Sequence, residues 1–306
     1  MRALDEFRAY NTRMRIAITA DLHFGHNRLG DEATHLLLEQ LQTAPPDLLL
    51  LGGDIGTEDH FGECLQLFRE LPCRKAVVPG NHDIWVAEND ARGDSLAVYQ
   101  QHLPNLCKQH EYHYLDHGPL ILPEANLAIV GSINWYDYSW SLQRMQAEVS
   151  NWQWHLEHKA FTRGRHNDGK FVRWPTDDVH FTQQVVATLE QHLRQSLEKV
   201  EHALVMTHHP AFHGLSFPRA TPAQGLDELL WEALSGNHAL GLILAKHADR
   251  LALIVSGHTH RDAEAQLGSA RGVNIGGDYH FKRMLIFDWP AGSIETFVFG
   301  DPNRRR

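Results

Sequence analysis

Six short apolar runs fix most of what this chain can become: RIAIT (15–19), DLLLL (47–51), KAVV (75–78), LAIV (127–130), ALVM (203–206) and LALIV (251–255). None alternates apolar with polar residues, and each is too short for a helix, so they read as strands buried on both faces. Segments with helical spacing lie between them. DEATHLLLEQLQT (31–43) opens on acids, 176–200 is long and periodic, and 225–248 carries a break at Ser235 and Gly236. Strands alternating with helices predict an α/β layered domain. In the last third, VNIGG, MLIFDW and SIETFVF follow one another with no helix between them, which predicts a separate sheet of antiparallel strands. The 306 residues read as a single domain without repeats or a low-complexity linker. The stretch 131–180 stands apart as an insertion, holding Trp135, Trp140, Trp152, Trp154 and Trp174.

The residues that follow the apolar runs are the wrong kind for loops of no consequence. RIAIT leads to Asp21 and His23; DLLLL to Asp54; KAVV to Asn81, His82 and Asp83; ALVM to His208 and His209; LALIV to His258 and His260. In open α/β sheets the carboxyl ends of the strands share one rim, so these clusters can meet. Imidazoles, carboxylates and one amide make a nitrogen and oxygen donor set without thiolates, which suits Mn, Fe or Zn rather than Ca. Seven of them, Asp21, His23, Asp54, Asn81, His208, His258 and His260, exceed one tetrahedral ion and divide well between two ions sharing a carboxylate. The three cysteines form neither an even framework nor a CxxC pair, which fits a reducing compartment.

The order DLH, GGD, GNHD, HHP and GHTH resembles the calcineurin-like metallophosphoesterase superfamily, whose motifs are D-x-H, G-D, G-N-H-[D/E], H and G-H-x-H. The resemblance runs from Asp21 to His260. It implies a four-layer αββα sandwich of two mixed β-sheets flanked by helices, and hydrolysis of phosphate esters by a metal-bridging hydroxide. It also implies that Asp21, His23 and His260 hold one metal, that Asn81, His208 and His258 hold the second, and that Asp54 bridges them. His258 and His260, two apart in an extended turn, would point the same way and each reach one ion. Gly53, Gly80 and Gly257 would allow the turns beside the ligands. His82 is expected to act as general acid or phosphate stabiliser, oriented by Asp83. His26 and His209, next to ligands, are expected to meet substrate.

Within that superfamily the protein-phosphatase branch carries an Arg in GDxVDRG, whereas this chain has GGDIGTEDH and GNHDIW, which argues against a phosphoprotein substrate. GNHD together with GHTH is closer to the phosphodiesterase and nuclease branches. The net charge of −10 disfavours extended nucleic acid and anionic membranes. The expected activity is therefore a phosphodiesterase acting on a small phosphate ester, nucleotides included. A phosphomonoesterase or nucleotide pyrophosphatase is the alternative, and a non-catalytic protein-binding scaffold the alternative of another class; a scaffold would show eroded ligands, and none is missing. The Trp-rich stretch, with Lys159, Arg163, Arg165, Lys170 and Arg173, either caps the metals and stacks a flat group or forms a small core of its own. Residues 1–15 lack a signal-peptide pattern and no apolar run nears the roughly 20 residues of a membrane span, so a cytoplasmic location is expected. The final PNRRR (302–306) reads as a solvated tail.

Overall fold

All six apolar runs become strands in the computed structural model, which describes residues 12–56, 60–218 and 225–303. Residues 1–11 of the stretch read for targeting and the arginines of the tail lie outside the described residues. The strands are β1 (Met14–Thr19), β2 (Leu48–Gly52), β3 (Arg74–Val78), β4 (His113–Tyr114), β5 (Leu120–Leu122), β6 (Leu127–Ser132), β7 (His202–Thr207), β8 (Leu251–Ser256), β9 (Ala263–Leu267), β10 (Ala270–Asn274), β11 (Lys282–Trp289) and β12 (Ser293–Phe299). They form two six-stranded sheets, ordered β12-β11-β1-β2-β3-β4 and β5-β6-β7-β8-β10-β9. Each is mixed: β1 to β4 run parallel and β11 joins β1 antiparallel, while β6, β7, β8 and β10 run parallel between antiparallel edges.

The apolar runs do not alternate because both faces of each strand are covered. Ile16, Ile18, Leu48, Leu50 and Val78 point inward and meet Ile129, Leu204, Met206, Leu253 and Val255 of the other sheet. From the same strands Ala17, Leu49, Leu51 and Val77 point outward, where Leu37 and Leu41 of the helix Arg28–Thr43 pack with Phe61, Leu65 and Phe68. On the far side Ala128, Val130 and Val205 meet Val186, Leu189 and Leu193 of the helix Asp178–Leu197 and Leu240 and Leu244 of the helix His238–Ala245. Two sheets face to face with helices outside give the four-layer sandwich. Side-chain caps set the helix starts, with Asn27 accepting from the Gly30 N–H (3.0 Å) and Asp177 from the His180 N–H (2.7 Å). The stretch 225–248 splits into the helices Leu226–Ala233 and His238–Ala245, with Asn237 capping the second.

The C-terminal third departs from the expectation of a separate antiparallel sheet. β10 pairs parallel with β8 in the second sheet, whereas β11 pairs antiparallel with β1 in the first. The reason is burial: Leu285, Phe287 and Trp289 complete the core between the sheets while Met284 and Ile286 complete the outer one, which an isolated sheet could not do. The chain must then cross from one sheet to the other between β10 and β11, and that crossing passes the carboxyl rim of the strands.

Within 131–180, Trp135 stacks on Tyr136 (4.8 Å between centroids) and meets Trp174 (5.2 Å) and Phe181 (5.7 Å) edge-on, all inside the core that covers the first sheet. The other half of this stretch, around Phe161, Arg165, His166, Asn167 and Phe171, turns toward the rim. Among the described residues no helix is long and apolar enough to cross a membrane.

Below the rim, the buried Asp116 accepts hydrogen bonds on Oδ1 from the Tyr99 hydroxyl and the Ile133 N–H, both at 2.8 Å. Burial nevertheless raises its pKa to about 7, from about 3.9 in an unfolded chain. Between those values the folded chain retains a proton that the unfolded chain has released, so this group lowers stability as pH rises from about 4 to about 7. Asp116→Asn keeps an acceptor for both donors and cannot ionise. Its urea midpoint, relative to wild type, is expected to be higher at pH 8 than at pH 5; an equal difference at both would exclude the carboxyl as the cause.

Candidate metal centre

Each ligand motif emerges directly from a buried strand, and the turn that follows is tight. Asp21 and His23 follow β1, Asp54 follows β2, Asn81 follows β3, His208 and His209 follow β7, and His258 and His260 follow β8. Asp21, His23, Asp54, His258 and His260 all adopt the left-handed backbone region, with φ between 43° and 71°. Non-glycine residues seldom occupy it, and a cluster of them is backbone strain stored where geometry matters. The expectation of an extended turn at His258 and His260 is therefore corrected. Both residues take left-handed backbone, and His258 joins one cluster of donors while His260 joins the other.

The donors separate into two groups. In the first, Asp21, His23, Asp54 and His260 place ligand atoms within 4.8 Å of one another. The Nε2 atoms of His23 and His260 face each other at 3.0 Å, and Asp21 Oδ1 lies 3.6 Å from His260 Nε2. In the second, His208, His209 and His258 converge, and Asn81 Oδ1 lies 3.0 Å from His208 Nε2 and 3.2 Å from His258 Nδ1. Asp54 stands between them, with Oδ2 3.6 Å from His23 Nε2 and Oδ1 3.4 Å from His208 Nε2. Gly80 backs this carboxylate so closely that a Cβ would stand on Asp54 Oδ1.

The donor set fits divalent cations. Burial, reinforced by neighbouring imidazoles, pushes the pKa values of His23 and His258 well below the ordinary histidine value and lowers those of His208 and His209, the latter to about 3. Neutral rings present lone pairs, the form that ligates. Burial, then Asp83 and Asp21, raises the Asp54 carboxyl well above its usual range, an imbalance that a cation reverses. Asp21 Oδ2 and His209 Nε2 are buried without a hydrogen-bond partner, as expected of atoms kept for another purpose.

His82 lies at the opening. Its ring stacks on Trp85 at 3.6 Å and meets His23 edge-on at 4.6 Å; its Nε2 is 3.8 Å from Asp54 Oδ2, and its N–H donates to Asp54 Oδ1 at 2.9 Å. Asp83 does not take the expected place beside it. Its carboxylate faces inward and accepts from the Ile55 (2.9 Å), Gly56 (3.2 Å) and Gly80 (2.7 Å) N–H groups, so it ties the β2 and β3 turns together. Burial raises it to about 7 against those hydrogen bonds. His26 sits exposed at the rim, 4.6 Å from the Tyr279 ring, whereas His209 is buried against His258 at 4.0 Å and joins the second donor group. The structure thus assembles every proposed metal ligand and His82, leaves His26 at the edge, and directs Asp83 to backbone.

Residues without a motif complete the site. Tyr279, on the crossing to β11, packs on His23 (4.3 Å) and His260 (4.8 Å), and Asp278 Oδ1 lies 3.6 Å from His260 Nδ1, a carboxylate placed to orient that ring. The buried Lys282 donates to the Asp21 and Asp278 carbonyls (3.2 and 2.7 Å). From the Trp-rich stretch comes Asp168, buried at 1% exposure. Its Oδ1 accepts from Asn81 Nδ2 and Trp85 Nε1, both at 2.8 Å, and its Oδ2 from the Tyr136 hydroxyl at 3.0 Å. Burial raises its pKa, but neighbouring His166 and hydrogen bonds from His166 and Asn81 outweigh that and hold it well below the carboxylate range. No motif marks these residues; the one sequence reading that bears on Asp168 is the expectation that the Trp-rich stretch caps the metals.

Two stacked mixed sheets with paired histidine and carboxylate clusters at their carboxyl rim are the arrangement that the sequence motifs implied. The chain belongs to the calcineurin-like phosphoesterase family, whose sequence profile matches residues 14–262. No curated protein matches it in sequence. Among solved structures it is similar to a phosphopantetheinyl hydrolase from Mycobacterium tuberculosis (TM-score 0.66, 20% identity, 89% of this chain and 91% of that one). It is also similar to a dimetal phosphatase from Danio rerio (TM-score 0.55, 15% identity, 94% and 98%) and to the Thermus thermophilus protein TT1561 (TM-score 0.54, 14% identity, 94% and 99%). At these identities the likeness is one of fold.

Proposed function

We propose that this protein hydrolyses phosphate diesters at a centre of two divalent metal ions. The observation that carries the reading is Asp54, which turns one carboxylate oxygen to each of two separate donor groups. Asp21, His23 and His260 would hold one ion, Asn81, His208 and His258 the other, and Asp54 would serve both, with His209 beside the second. Two such ions activate water as a nucleophile and neutralise the charge on a phosphoryl group. The chain supplies the rest. His82, kept neutral by burial, offers a ring N–H to the leaving oxygen, as a neutral imidazole can without carrying a full proton to spare.

Diesters are favoured because two compartments meet at His82 and Trp85. The smaller, about 310 Å³, contains Asp54, Asn81, His258 and His260 and is closed on one side by Phe161, His166 and Asn167. The larger, about 650 Å³, runs along Trp85, Val86, Ala87, Ala91 and Phe171. Its arginine, Arg92, is already bound to Asp90 and to the Trp85 carbonyl, so this channel suits an uncharged arm better than a second phosphate. A monoester would leave it empty. The phosphopantetheinyl group named for the similar mycobacterial enzyme carries an extended uncharged arm and belongs in a substrate panel.

The test is to strip metal with a chelator, restore Mn²⁺, and compare kcat/KM on bis-p-nitrophenyl phosphate and p-nitrophenyl phosphate. The expected result is no turnover without metal and a diester preference of about tenfold or more, equivalent to about 1.4 kcal/mol in transition-state binding. Preference for the monoester would overturn the diester reading and leave a phosphomonoesterase; metal-independent turnover would overturn the centre itself.

A further inference from the structure

Resting on the two-metal reading, we infer that Asp168 is a positioning residue for the centre, supplied by the Trp-rich stretch rather than by any ligand motif. An asparagine ligand has a problem that a carboxylate lacks: its amide can lie either way round, and only the carbonyl oxygen coordinates. Asn81 must present Oδ1 to the space shared by His208 and His258. Asp168 fixes this choice by accepting from Asn81 Nδ2, since a carboxylate can only accept and would repel the carbonyl oxygen of the flipped amide.

The same oxygen does a second job. Asp168 Oδ1 also accepts from the indole N–H of Trp85, the ring on which His82 stacks. One buried atom therefore sets the orientation of a metal ligand directly and supports the wall behind His82. The carboxylate is itself held by the Tyr136 hydroxyl on Oδ2, with His166 Nδ1 3.4 Å from the same oxygen. It cannot swing away without leaving the Tyr136 hydroxyl and the Asn81 amide buried and unpaired, which costs about 1–3 kcal/mol for each. Asp168 does not touch the space between the donor groups, so its effect must pass through Asn81 and Trp85. The stretch that walls the substrate compartments thus also completes the second donor group.

The variants that separate positioning from charge are Asp168→Ala and Asp168→Asn. Asparagine keeps an oxygen that accepts from Asn81 and Trp85 and places its NH₂ toward Tyr136, whose hydroxyl can accept; alanine removes every partner. Metal-free wild type, titrated with Mn²⁺ alone by calorimetry, is expected to bind two ions. Asp168→Ala is expected to keep one ion at wild-type affinity and to weaken the other about 10- to 100-fold, the usual scale for losing a group that orients a ligand. Asp168→Asn is expected to recover most of that loss. Thermal melts identify a variant that has failed to fold, and in that event Asp168→Asn alone carries the test through its two-ion isotherm. Two ions bound by Asp168→Ala at wild-type affinities would overturn the inference, as would an Asp168→Asn defect equal to that of alanine, which would show that charge and not orientation matters. Wild type binding fewer than two ions would instead overturn the two-metal reading on which the inference rests.

Discussion

Asp54→Asn is expected to cut kcat/KM on bis-p-nitrophenyl phosphate in Mn²⁺ by ~10³, the scale on which removing one preorganised electrostatic group acts. The substitution is close to isosteric, and asparagine tolerates the left-handed backbone at this position (φ 51°). It also keeps an acceptor for the His82 N–H. What it lacks is a second acceptor oxygen, so an amide can face one donor group but not both. The same change is expected to act with the opposite sign on the metal-free protein. Burial and the neighbouring Asp83 and Asp21 disfavour the ionised Asp54 carboxyl, so a neutral amide removes a cost that the cation-free fold bears. In chelator at neutral pH, Asp54→Asn should melt at or above the wild-type temperature. On adding Mn²⁺, wild type should gain stability by mass action and the variant much less. Full activity in the variant would exclude Asp54 as the bridge, and a chelated melt below wild type would exclude the electrostatic account.

The second large effect is expected at His82, and its diagnostic is the leaving group rather than the rate alone. His82→Ala should lower kcat on diesters of simple alcohols by about 10² to 10³, the usual range for losing one preorganised hydrogen-bond donor. On p-nitrophenyl diesters, whose leaving anion is already stable, the loss should be much smaller. The ring touches the centre through Asp54 and His23 but is not among the donors that converge, so Mn²⁺ stoichiometry should stay at the wild-type value. An equal loss on both leaving groups would exclude assistance to departure and leave His82 as a wall for the phosphate. The ring is held by Trp85, not by Asp83, and Asp83→Asn is accordingly a change to the β2 and β3 turns more than to His82.

The strands, their burial on both faces and the residues that gather at the rim are legible in the sequence because each is written locally. A run such as LALIV followed at once by Gly257, His258 and His260 states a buried strand, a turn and the donors in one continuous segment. The α/β architecture then obliges such segments to end on a common rim. Tertiary structure alone decided the rest. The left-handed backbone at Asp21, His23, Asp54, His258 and His260, in place of an extended turn, is something that residue type does not announce. Whether Asp83 serves His82 or the backbone depends on where the β2 turn lies, about thirty residues away in sequence. The division of the last strands between two sheets follows from which core still lacked a face. Asp168 is the clearest case: its hydrogen bond to Asn81 spans 87 residues, with no periodicity or motif to link them. Periodicity reports what one segment must bury, whereas the orientation of a ligand is set by whichever buried group the completed fold brings to its other side.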